Sequence, residues 1–302
     1  MTRTDRLLAT LAARPLQCDG ATGTQLQQLG LQPGESCERW VLDHPERVQL
    51  VHQRYHEAGA DLLTTNTFGG TTLSLASHGL DSRAADINRN AVRLAREVAG
   101  DHAWVLGDMG PFGGILEPYG ESEPGAARDA FLAQAAALVE GGADAILVET
   151  MSDPAEAALA VEAAREAGAQ FVISTFAFQH TPAGFRTMMG ASPAVAVQAA
   201  LDAGASVVGA NCGTQLSLED YANLAAELVA AAHGIPVIAQ PNAGSPAHDP
   251  ATGQITYATT PAAFAEAAAR YITLGARIVG GCCGTTPAHI SASAAHNKKA
   301  KA

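Results

Sequence analysis

The amino-acid sequence predicts a single (β/α)8 barrel, and three observations support this fold class. The chain has 302 residues, a common length for such a barrel in one domain. Alanine-rich helical patterns alternate with β-branched apolar runs, and Gly-Ala dipeptides mark the junctions at residues 59–60, 142–143, 168–169, 204–205 and 275–276. A glycine that ends a helix before a buried parallel strand explains these junctions. Unusual polar residues follow the apolar runs, where a barrel gathers its reactive groups.

Eight strands, with helices between them, follow from these junctions in chain order. The strands are predicted near residues 15–19, 61–66, 103–108, 144–149, 171–176, 205–211, 235–240 and 276–281. Helical patterns cover residues 46–58, 84–99, 126–140, 154–167, 193–203, 218–232 and 261–274. Several of these helices open with a proline, namely Pro154, Pro193 and Pro261, which suits the first helical position.

One domain is expected to cover residues 1–296, followed by a flexible, lysine-containing tail at residues 297–302. A doubly wound open sheet is the alternative fold. That sheet would not readily bring the ends of the sixth and eighth strands together with those of the first and fourth. The barrel places all of these ends on one face.

The composition argues against several functional classes. A net charge of −12 disfavours nucleic acid as the main partner, because phosphate binding needs a basic surface. No apolar stretch approaches the length of a membrane span, and the amino terminus carries no apolar signal segment. We therefore expect a cytoplasmic protein. Histidines 44, 52, 56 and 78 lie in or near helical patterns and are expected to face solvent.

Three of the five cysteines follow predicted strands, Cys212 after the sixth and Cys282 and Cys283 after the eighth. Three thiolates suit Zn²⁺ and leave a fourth tetrahedral position for water or substrate, as in a catalytic site. A redox-active vicinal disulfide between Cys282 and Cys283, or inert packing, are the alternatives. An odd number of cysteines argues against a secreted disulfide framework. Cys18 and Cys37 have no such neighbours and are interpreted as ordinary buried thiols.

Seven segments, spanning residues 19 to 285 in family order, resemble the homocysteine S-methyltransferase family. They are Asp19-Gly-Ala-Thr-Gly-Thr24, Ala58-Gly-Ala-Asp-Leu-Leu-Thr-Thr-Asn-Thr-Phe68, Gly110-Pro111, Glu149-Thr150, Gly209-Ala-Asn-Cys-Gly213, Pro241-Asn-Ala-Gly244 and Gly280-Gly-Cys-Cys-Gly-Thr285. The paired cysteines with an upstream Asn-Cys-Gly are the most specific of these marks. The family includes betaine–homocysteine methyltransferases, S-methylmethionine-dependent enzymes and the homocysteine module of cobalamin-dependent methionine synthase.

The resemblance implies an enzyme that transfers a methyl group to L-homocysteine and produces methionine. It implies Zn²⁺ held by Cys212, Cys282 and Cys283, with the homocysteine sulfur as the fourth ligand. A free thiol has a pKa near 8.5 and is mostly protonated at neutral pH. Zinc would remove that proton and present a sulfur nucleophile, a variant of the usual activation of water.

The amino-acid end of homocysteine needs contacts of its own. Asp19 and Glu149, at the ends of the first and fourth strands, resemble the family's amine-binding pair. The turn that contains Gly20, Thr22 and Gly23 can direct backbone N–H groups at the carboxylate. The alternative is that Asp19 only caps a turn and Glu149 only caps the helix that follows it.

Further polar residues follow the strands. Asn242 resembles a family asparagine that approaches zinc when substrate is absent. Asn66 and Asp108 occupy similar strand-end positions, where their alternative role is hydrogen bonding at the top of the barrel. Thr150 departs from the tyrosine that follows this glutamate in animal betaine enzymes, so a tyrosine contact to donor or zinc is not expected there.

The methyl donor is expected to be a small onium compound, betaine before S-methylmethionine. Loop segments at residues 39–40, 66–70, 116–119 and 186–190 look most like bacterial betaine–homocysteine methyltransferases. Aromatic cages bind quaternary ammonium groups. Trp40 is the first candidate for such a wall, and Phe68, Phe112 and Tyr119 lie on loops of the same face.

Two other functions compete with this hypothesis. The chain could be a homocysteine-activating subunit that accepts methyl from a separate corrinoid protein, because it carries no recognisable cobalamin or folate module. It could also be a non-enzymatic zinc or redox sensor, in which Asp19 and Glu149 would have no purpose. A homo-oligomer is compatible with the sequence, which carries no sign for or against one.

Overall fold

The fold is an eight-stranded parallel barrel with helices outside it, as the sequence predicts. The computed structural model describes residues 1–248 and 255–299. Its strands are β1 (Leu16–Gln17), β2 (Leu62–Thr64), β3 (Trp104–Met109), β4 (Ala145–Met151), β5 (Val172–Phe176), β6 (Phe178–Thr181), β7 (Gly184–Thr187), β8 (Val207–Cys212), β9 (Val237–Pro241), β10 (Pro246–His248), β11 (Ile255–Tyr257) and β12 (Ala276–Val279).

The barrel sheet has the strand order β1-β12-β9-β8-β5-β4-β3-β2, with parallel pairing throughout. It closes between β1 and β2, where Cys18 forms a parallel bridge with Leu62. The Asp61 amide donates to the Gln17 carbonyl at 2.7 Å, and the Asp19 amide donates to the Leu62 carbonyl at 3.1 Å. All strand ends that carry polar residues therefore meet at one face.

Helices connect the strands on the outer side of the barrel. They are α1 (Arg3–Ala13), α2 (Thr22–Gln28), α3 (Trp40–Asp43), α4 (Pro45–Glu57), α5 (Thr72–Ala76), α6 (Ala84–Ala99), α7 (Pro124–Glu140), α8 (Pro154–Glu166), α9 (Pro193–Asp202), α10 (Leu218–Ala231), α11 (Pro261–Thr273) and α12 (Pro287–Lys299). The helix-opening prolines at residues 154, 193 and 261 follow Asp153, Ser192 and Thr260, whose side chains accept hydrogen bonds from first-turn amides.

Two hydrophobic clusters hold the barrel together. The larger cluster packs the outer face of the strands against the helices, and the smaller one fills the barrel interior. Leu7 and Leu11 of α1 belong to the interior cluster with Leu16, Ile173 and Ile278 of the strands. Helix α1, which the sequence pattern did not predict, therefore covers one end of the barrel core.

Three further features depart from the sequence-based expectations. Two short antiparallel hairpins, β6–β7 and β10–β11, extend from the barrel and were not predicted. Helix α12 continues through Lys299, beyond the predicted tail boundary at residue 296, and residues 300–302 lie outside the described part of the chain. His52 was expected to face solvent but is fully buried, because it lies on the inner face of α4 beside Val51 and Tyr55. None of the described helices has the length and apolar character needed to cross a membrane.

Candidate metal centre and active site

Three cysteine sulfurs meet at the face where the strand ends converge. Cys212 is the last residue of β8, and Cys282 and Cys283 follow β12. Their Sγ atoms all lie within 4.8 Å of one another, and those of Cys282 and Cys283 are 4.0 Å apart. A tetrahedral metal with sulfur bonds of about 2.3 Å separates its ligands by about 3.8 Å. The three sulfurs fit such an ion, whereas a disulfide would need a separation of about 2 Å.

Backbone hydrogen bonds from neighbouring strands hold the paired cysteines in place. The Gly281 amide donates to the Asp19 carbonyl, and the Cys282 amide donates to the Pro241 carbonyl, both at 2.9 Å. The Thr285 hydroxyl donates to the Cys282 carbonyl at 2.7 Å. The segment after β12 is therefore tied to β1 and β9, which brings the pair of cysteines next to Cys212.

The proximity of the three thiols changes their acidity. Hydrogen bonds from Cys282 and then Cys283 lower the pKa of Cys212 to about 3. The same contact with Cys212 raises the pKa of Cys283 to about 12. Negative charge thus collects on the cluster at neutral pH, which favours binding of a metal cation.

Two buried carboxyl groups face the same region. Asp19 accepts hydrogen bonds from the Thr64 amide at 2.7 Å and the Thr64 hydroxyl at 2.8 Å, and burial raises its pKa to about 6. Burial, followed by the negative charges of Cys212 and Asp19, raises the pKa of Glu149 to about 8. Both carboxylates would be stabilised by a cationic group placed between them.

Asn211 joins the cysteine cluster to Glu149, a contact that the sequence did not predict. Its Nδ2 donates to the Glu149 carboxylate at 3.1 Å and lies 3.8 Å from the Cys282 sulfur. Its Oδ1 accepts from the Thr150 amide at 2.8 Å and the Thr175 hydroxyl at 2.7 Å. Thr150 has a φ of 60°, which is unusual for a β-branched residue. Asn211 therefore stabilises the strained backbone that orients Glu149.

These groups open on a cavity of about 400 Å³. Its lining comprises Asp19, Gly20, Ala21, Thr22, Gly23, Thr24, Cys37, Glu38, Thr64, Thr65, Asn66, Thr67, Phe68, Asp108, Glu149, Thr150, Cys212, Gln240, Gly281, Cys282 and Cys283. Among the described residues, those that line the cavity include four carboxylic acids but no lysine, arginine or histidine. A cavity of this charge is suited to positively charged ligands.

Most sequence-predicted site residues reach this cavity, including Gly20, Thr22, Gly23 and Asn66. Asn242 lies beside it, where its amide hydrogen-bonds to Cys212 and donates to the Gly213 carbonyl at 3.1 Å. Glu38, Cys37 and Gln240 also line the cavity and were not predicted. Cys37 and Glu38 lie on a loop that no motif marks, and Gln240 is an uncharged residue at the end of a predicted strand.

The aromatic residues proposed for the donor wall are dispersed. Trp40 does not line the cavity: only 4% of it is exposed, and its ring contacts His44 and the guanidinium of Arg47. Phe112 is buried and Tyr119 is exposed, and neither lines the cavity. Phe68 is the one member of this set that does. Aromatic residues on loops also fill cores, and the sequence alone does not separate the two roles.

Comparison with known protein families gives a match over nearly the whole chain. The profile described as homocysteine S-methyltransferase matches residues 16–296. The chain belongs to the homocysteine S-methyltransferase family. The name of this family denotes transfer of a methyl group to the sulfur of homocysteine.

Two curated relatives are much longer than this chain. Methionine synthase from Mycobacterium leprae (strain TN) is 38% identical, over 96% of this chain and 25% of that protein. Methionine synthase from Mycobacterium tuberculosis (strain ATCC 25618 / H37Rv) is 36% identical over the same shares. The chain thus spans about a quarter of the length of these relatives.

Solved structures share the barrel. The homocysteine methyltransferase MmuM from Escherichia coli, in its metallated form, matches with a TM-score of 0.78 at 22% identity, over 97% of this chain and 99% of that chain. A methyltransferase from Methanosarcina mazei matches with a TM-score of 0.62 at 13% identity, over the full length of both chains. At these identities the likeness shows the (β/α)8 fold.

Proposed function

We propose that this protein catalyses zinc-dependent transfer of a methyl group from a small onium compound to the sulfur of L-homocysteine, with methionine as the product. The observation that carries the proposal is the meeting of three cysteine sulfurs and two buried carboxylates at one cavity. The family supplies homocysteine as the acceptor. The cavity's charge supports a cationic donor.

The ligand set favours zinc. Cys212, Cys282 and Cys283 offer three soft sulfurs, and among the described residues no fourth histidine, cysteine or carboxylate joins their group. Three thiolates with an open tetrahedral position suit Zn²⁺ in a catalytic role. When bound there, zinc would lower the pKa of the homocysteine thiol and so supply the nucleophile at neutral pH.

The carboxylates would orient homocysteine. Its ammonium group would lie between Asp19 and Glu149, whose charges are otherwise uncompensated in the buried site. Its carboxylate would lie against the segment from Gly20 to Gly23, which lines the cavity and leads into the first residues of α2. With both ends held, the sulfur has one direction in which to meet the donor, and this orientation lowers the entropic cost of the reaction.

The transfer itself needs only position and charge. The homocysteine sulfur forms a bond to the methyl carbon while the bond from that carbon to the onium nitrogen or sulfur breaks, and the bonding electrons leave with the heteroatom. The donor loses its positive charge in this step. Betaine and S-methylmethionine both fit this description, and the sequence resemblance points to betaine first.

The length of the relatives favours a second candidate. This chain covers 25% of each of the two methionine synthases, so its counterpart there works within a much larger protein. The same homocysteine site could therefore accept methyl from a separate corrinoid protein. Turnover with a methylated corrinoid protein, in the absence of turnover with betaine or S-methylmethionine, would select this candidate.

The test combines metal analysis with a donor panel. Zinc-loaded protein should contain about one zinc per chain and form methionine from homocysteine with at least one onium donor. Cys283→Ser should lose most zinc and activity, because a hydroxyl is a poor zinc ligand. Cys37→Ser is the matched control, since Cys37 lines the same cavity outside the sulfur cluster and its variant should retain zinc. Full zinc content and turnover in Cys283→Ser would refute the proposal.

A further inference from the structure

Two of the four carboxylic acids in the cavity are not used by the proposed homocysteine contacts. Asp108 is the residue before the last one of β3, and Glu38 lies on the loop before α3. Both line the cavity and both are buried, with 4% and 8% exposure respectively. A buried acid without a positively charged partner either carries a large desolvation cost or is held protonated, and a nearby cation relieves both.

Asp108 lacks the contacts that would satisfy a structural carboxyl group. Its Oδ1 is buried and finds no hydrogen-bond partner among the described residues. Burial, and then the charges of Glu149, Asp19 and Glu38, raise its pKa well above the usual range. The four acids therefore act on one another, and a cation bound beside Asp108 would relieve both the repulsion and the missing contact.

Glu38 is oriented by its neighbours but not neutralised by them. Its carboxylate accepts from the Ser36 hydroxyl at 2.7 Å and the Gly69 amide at 2.8 Å. In the described part of the chain, neither Glu38 nor Asp108 forms an ion pair, although thirteen ion pairs occur elsewhere. Two uncharged donors thus hold the Glu38 side chain in position, and no positively charged side chain balances it in the described part of the chain.

Phe68 connects the two acids. Its backbone carbonyl accepts from the Gly110 amide at 2.9 Å, two residues after Asp108, and the next residue, Gly69, donates to Glu38. Phe68 lines the cavity and is 41% exposed. An aromatic ring that lines the same cavity as two carboxylic acids is suited to an organic cation, which gains from both the ring and the charges.

The spacing of the acids argues against a second metal ion. Among the described residues, the three cysteines form the only group of three or more ligand atoms that lie within 4.8 Å of one another. The carboxylate oxygens are thus too dispersed to surround a bare cation with three or more direct ligands. An onium group, whose charge is spread over several methyl or methylene groups, needs no such close convergence.

We propose that Asp108 and Glu38, together with the ring of Phe68, form a subsite for the positive charge of the methyl donor, and that this subsite favours donors with a net positive charge. This inference rests on the proposed function. It has one consequence for the choice of donor: betaine is a neutral zwitterion whose carboxylate would meet four acids and no basic side chain in the cavity lining. A sulfonium amino acid such as S-methylmethionine carries a net positive charge and is favoured instead.

The test measures binding of a cation directly. The probe is tetramethylammonium, which has neither amine hydrogens nor a carboxylate, titrated calorimetrically into zinc-loaded protein in saturating L-methionine. Asp108→Asn and Glu38→Gln should each weaken its binding about tenfold or more, equivalent to about 1.4 kcal/mol. Glu121→Gln, which removes one exposed acid from the loop after β3, is the charge-matched control and should bind as the parent does.

Kinetics provide a second measurement on the same variants. Asp108→Asn should raise the KM for S-methylmethionine more than it changes kcat, and should narrow the preference for S-methylmethionine over betaine. If Asp108→Asn does not fold, as judged by zinc content and circular dichroism, Glu38→Gln alone decides. Parental tetramethylammonium affinity in the folded variants overturns the subsite. A failure to form methionine from any donor would instead remove the proposed function, and the binding data would still decide the cation subsite.

Discussion

Asn211 shows how single residues in this site depend on one another. Its side chain contacts Glu149, Thr150 and Cys282, so one amide links the proposed amine-binding carboxylate, the strained backbone and a proposed metal ligand. A φ of 60° at Thr150 costs on the order of 1–3 kcal/mol unless neighbours hold it. We expect Asn211 to affect the reaction through these neighbours, as a positioning residue.

Asn211→Ala should raise the KM for homocysteine about tenfold or more while zinc stays near one per chain, because Glu149 loses its orientation. Adding Thr150→Gly should restore part of the loss, since glycine adopts positive φ without strain. Steady-state kinetics with zinc analysis of the single and double variants measure both effects. A parental KM in Asn211→Ala would show that Glu149 is oriented without it.

Glu149→Gln should weaken homocysteine binding by about 2–5 kcal/mol and leave zinc content normal, because it removes one charge from a buried amine site. Equilibrium titration of the zinc-loaded protein with homocysteine measures the change. Glu156→Gln is the matched control: Glu156 is a buried acid of α8 that accepts from the Phe112 amide at 2.9 Å and does not line the cavity. Equal homocysteine affinity in both variants would contradict the assigned role.

At the level of elements, the position of Cys212 at the end of β8 depends on close packing of β8 against β9. A Cβ atom on Gly209 would lie 2.0 Å from the Ile238 carbonyl oxygen, so any side chain forces the two strands apart. Gly209→Ala should lower the free energy of unfolding by about 3 kcal/mol and weaken zinc binding. Gly125→Ala in the first turn of α7 meets no atom within 4 Å and should add about 0.4–1 kcal/mol. Urea unfolding of both variants tests the contrast, which similar stabilities would contradict.

For the whole molecule, the buried His52 predicts a loss of stability in acid. Burial lowers its pKa to about 4, and neither ring nitrogen has a hydrogen-bond partner in the described part of the chain. Below about pH 6.5 the imidazole of His52 is protonated in the unfolded chain but stays neutral in the folded protein. The free energy of unfolding therefore falls as the pH drops from about 6.5 to about 4. The full effect is about 3 kcal/mol.

His52→Leu should remove this part of the pH dependence. The difference in unfolding free energy between the parent and the variant should shift by about 2 kcal/mol between pH 7.5 and pH 5, as measured by urea denaturation. Other titrating groups are common to both proteins and cancel in the comparison. A difference that stays constant with pH would show that His52 is charged or solvated in the folded state.

The sequence by itself determined the barrel and the meeting of its three cysteines. Helical and strand periodicities are local, so alternating patterns and Gly-Ala junctions identify eight units without knowledge of their packing. Residues at the ends of parallel strands must meet at one face, and that rule brought together Cys212, Cys282 and Cys283. The same rule, together with the resemblance to the family, predicted that Asp19 and Glu149 belong to the site.

Only the tertiary structure decided which other side chains share the site. Glu38 lies on a loop that no motif marks. Asn211 belongs to the Asn-Cys-Gly motif at the end of a predicted strand, but nothing in the motif indicates its contact with Glu149. The contacts of both residues cross between loops and strands distant in sequence. Burial has the same dependence. Trp40 was predicted on a loop and His52 in a helical pattern, and the neighbouring elements bury both side chains. Sequence periodicity specifies elements, whereas the depth and charge of a cavity depend on how those elements pack together.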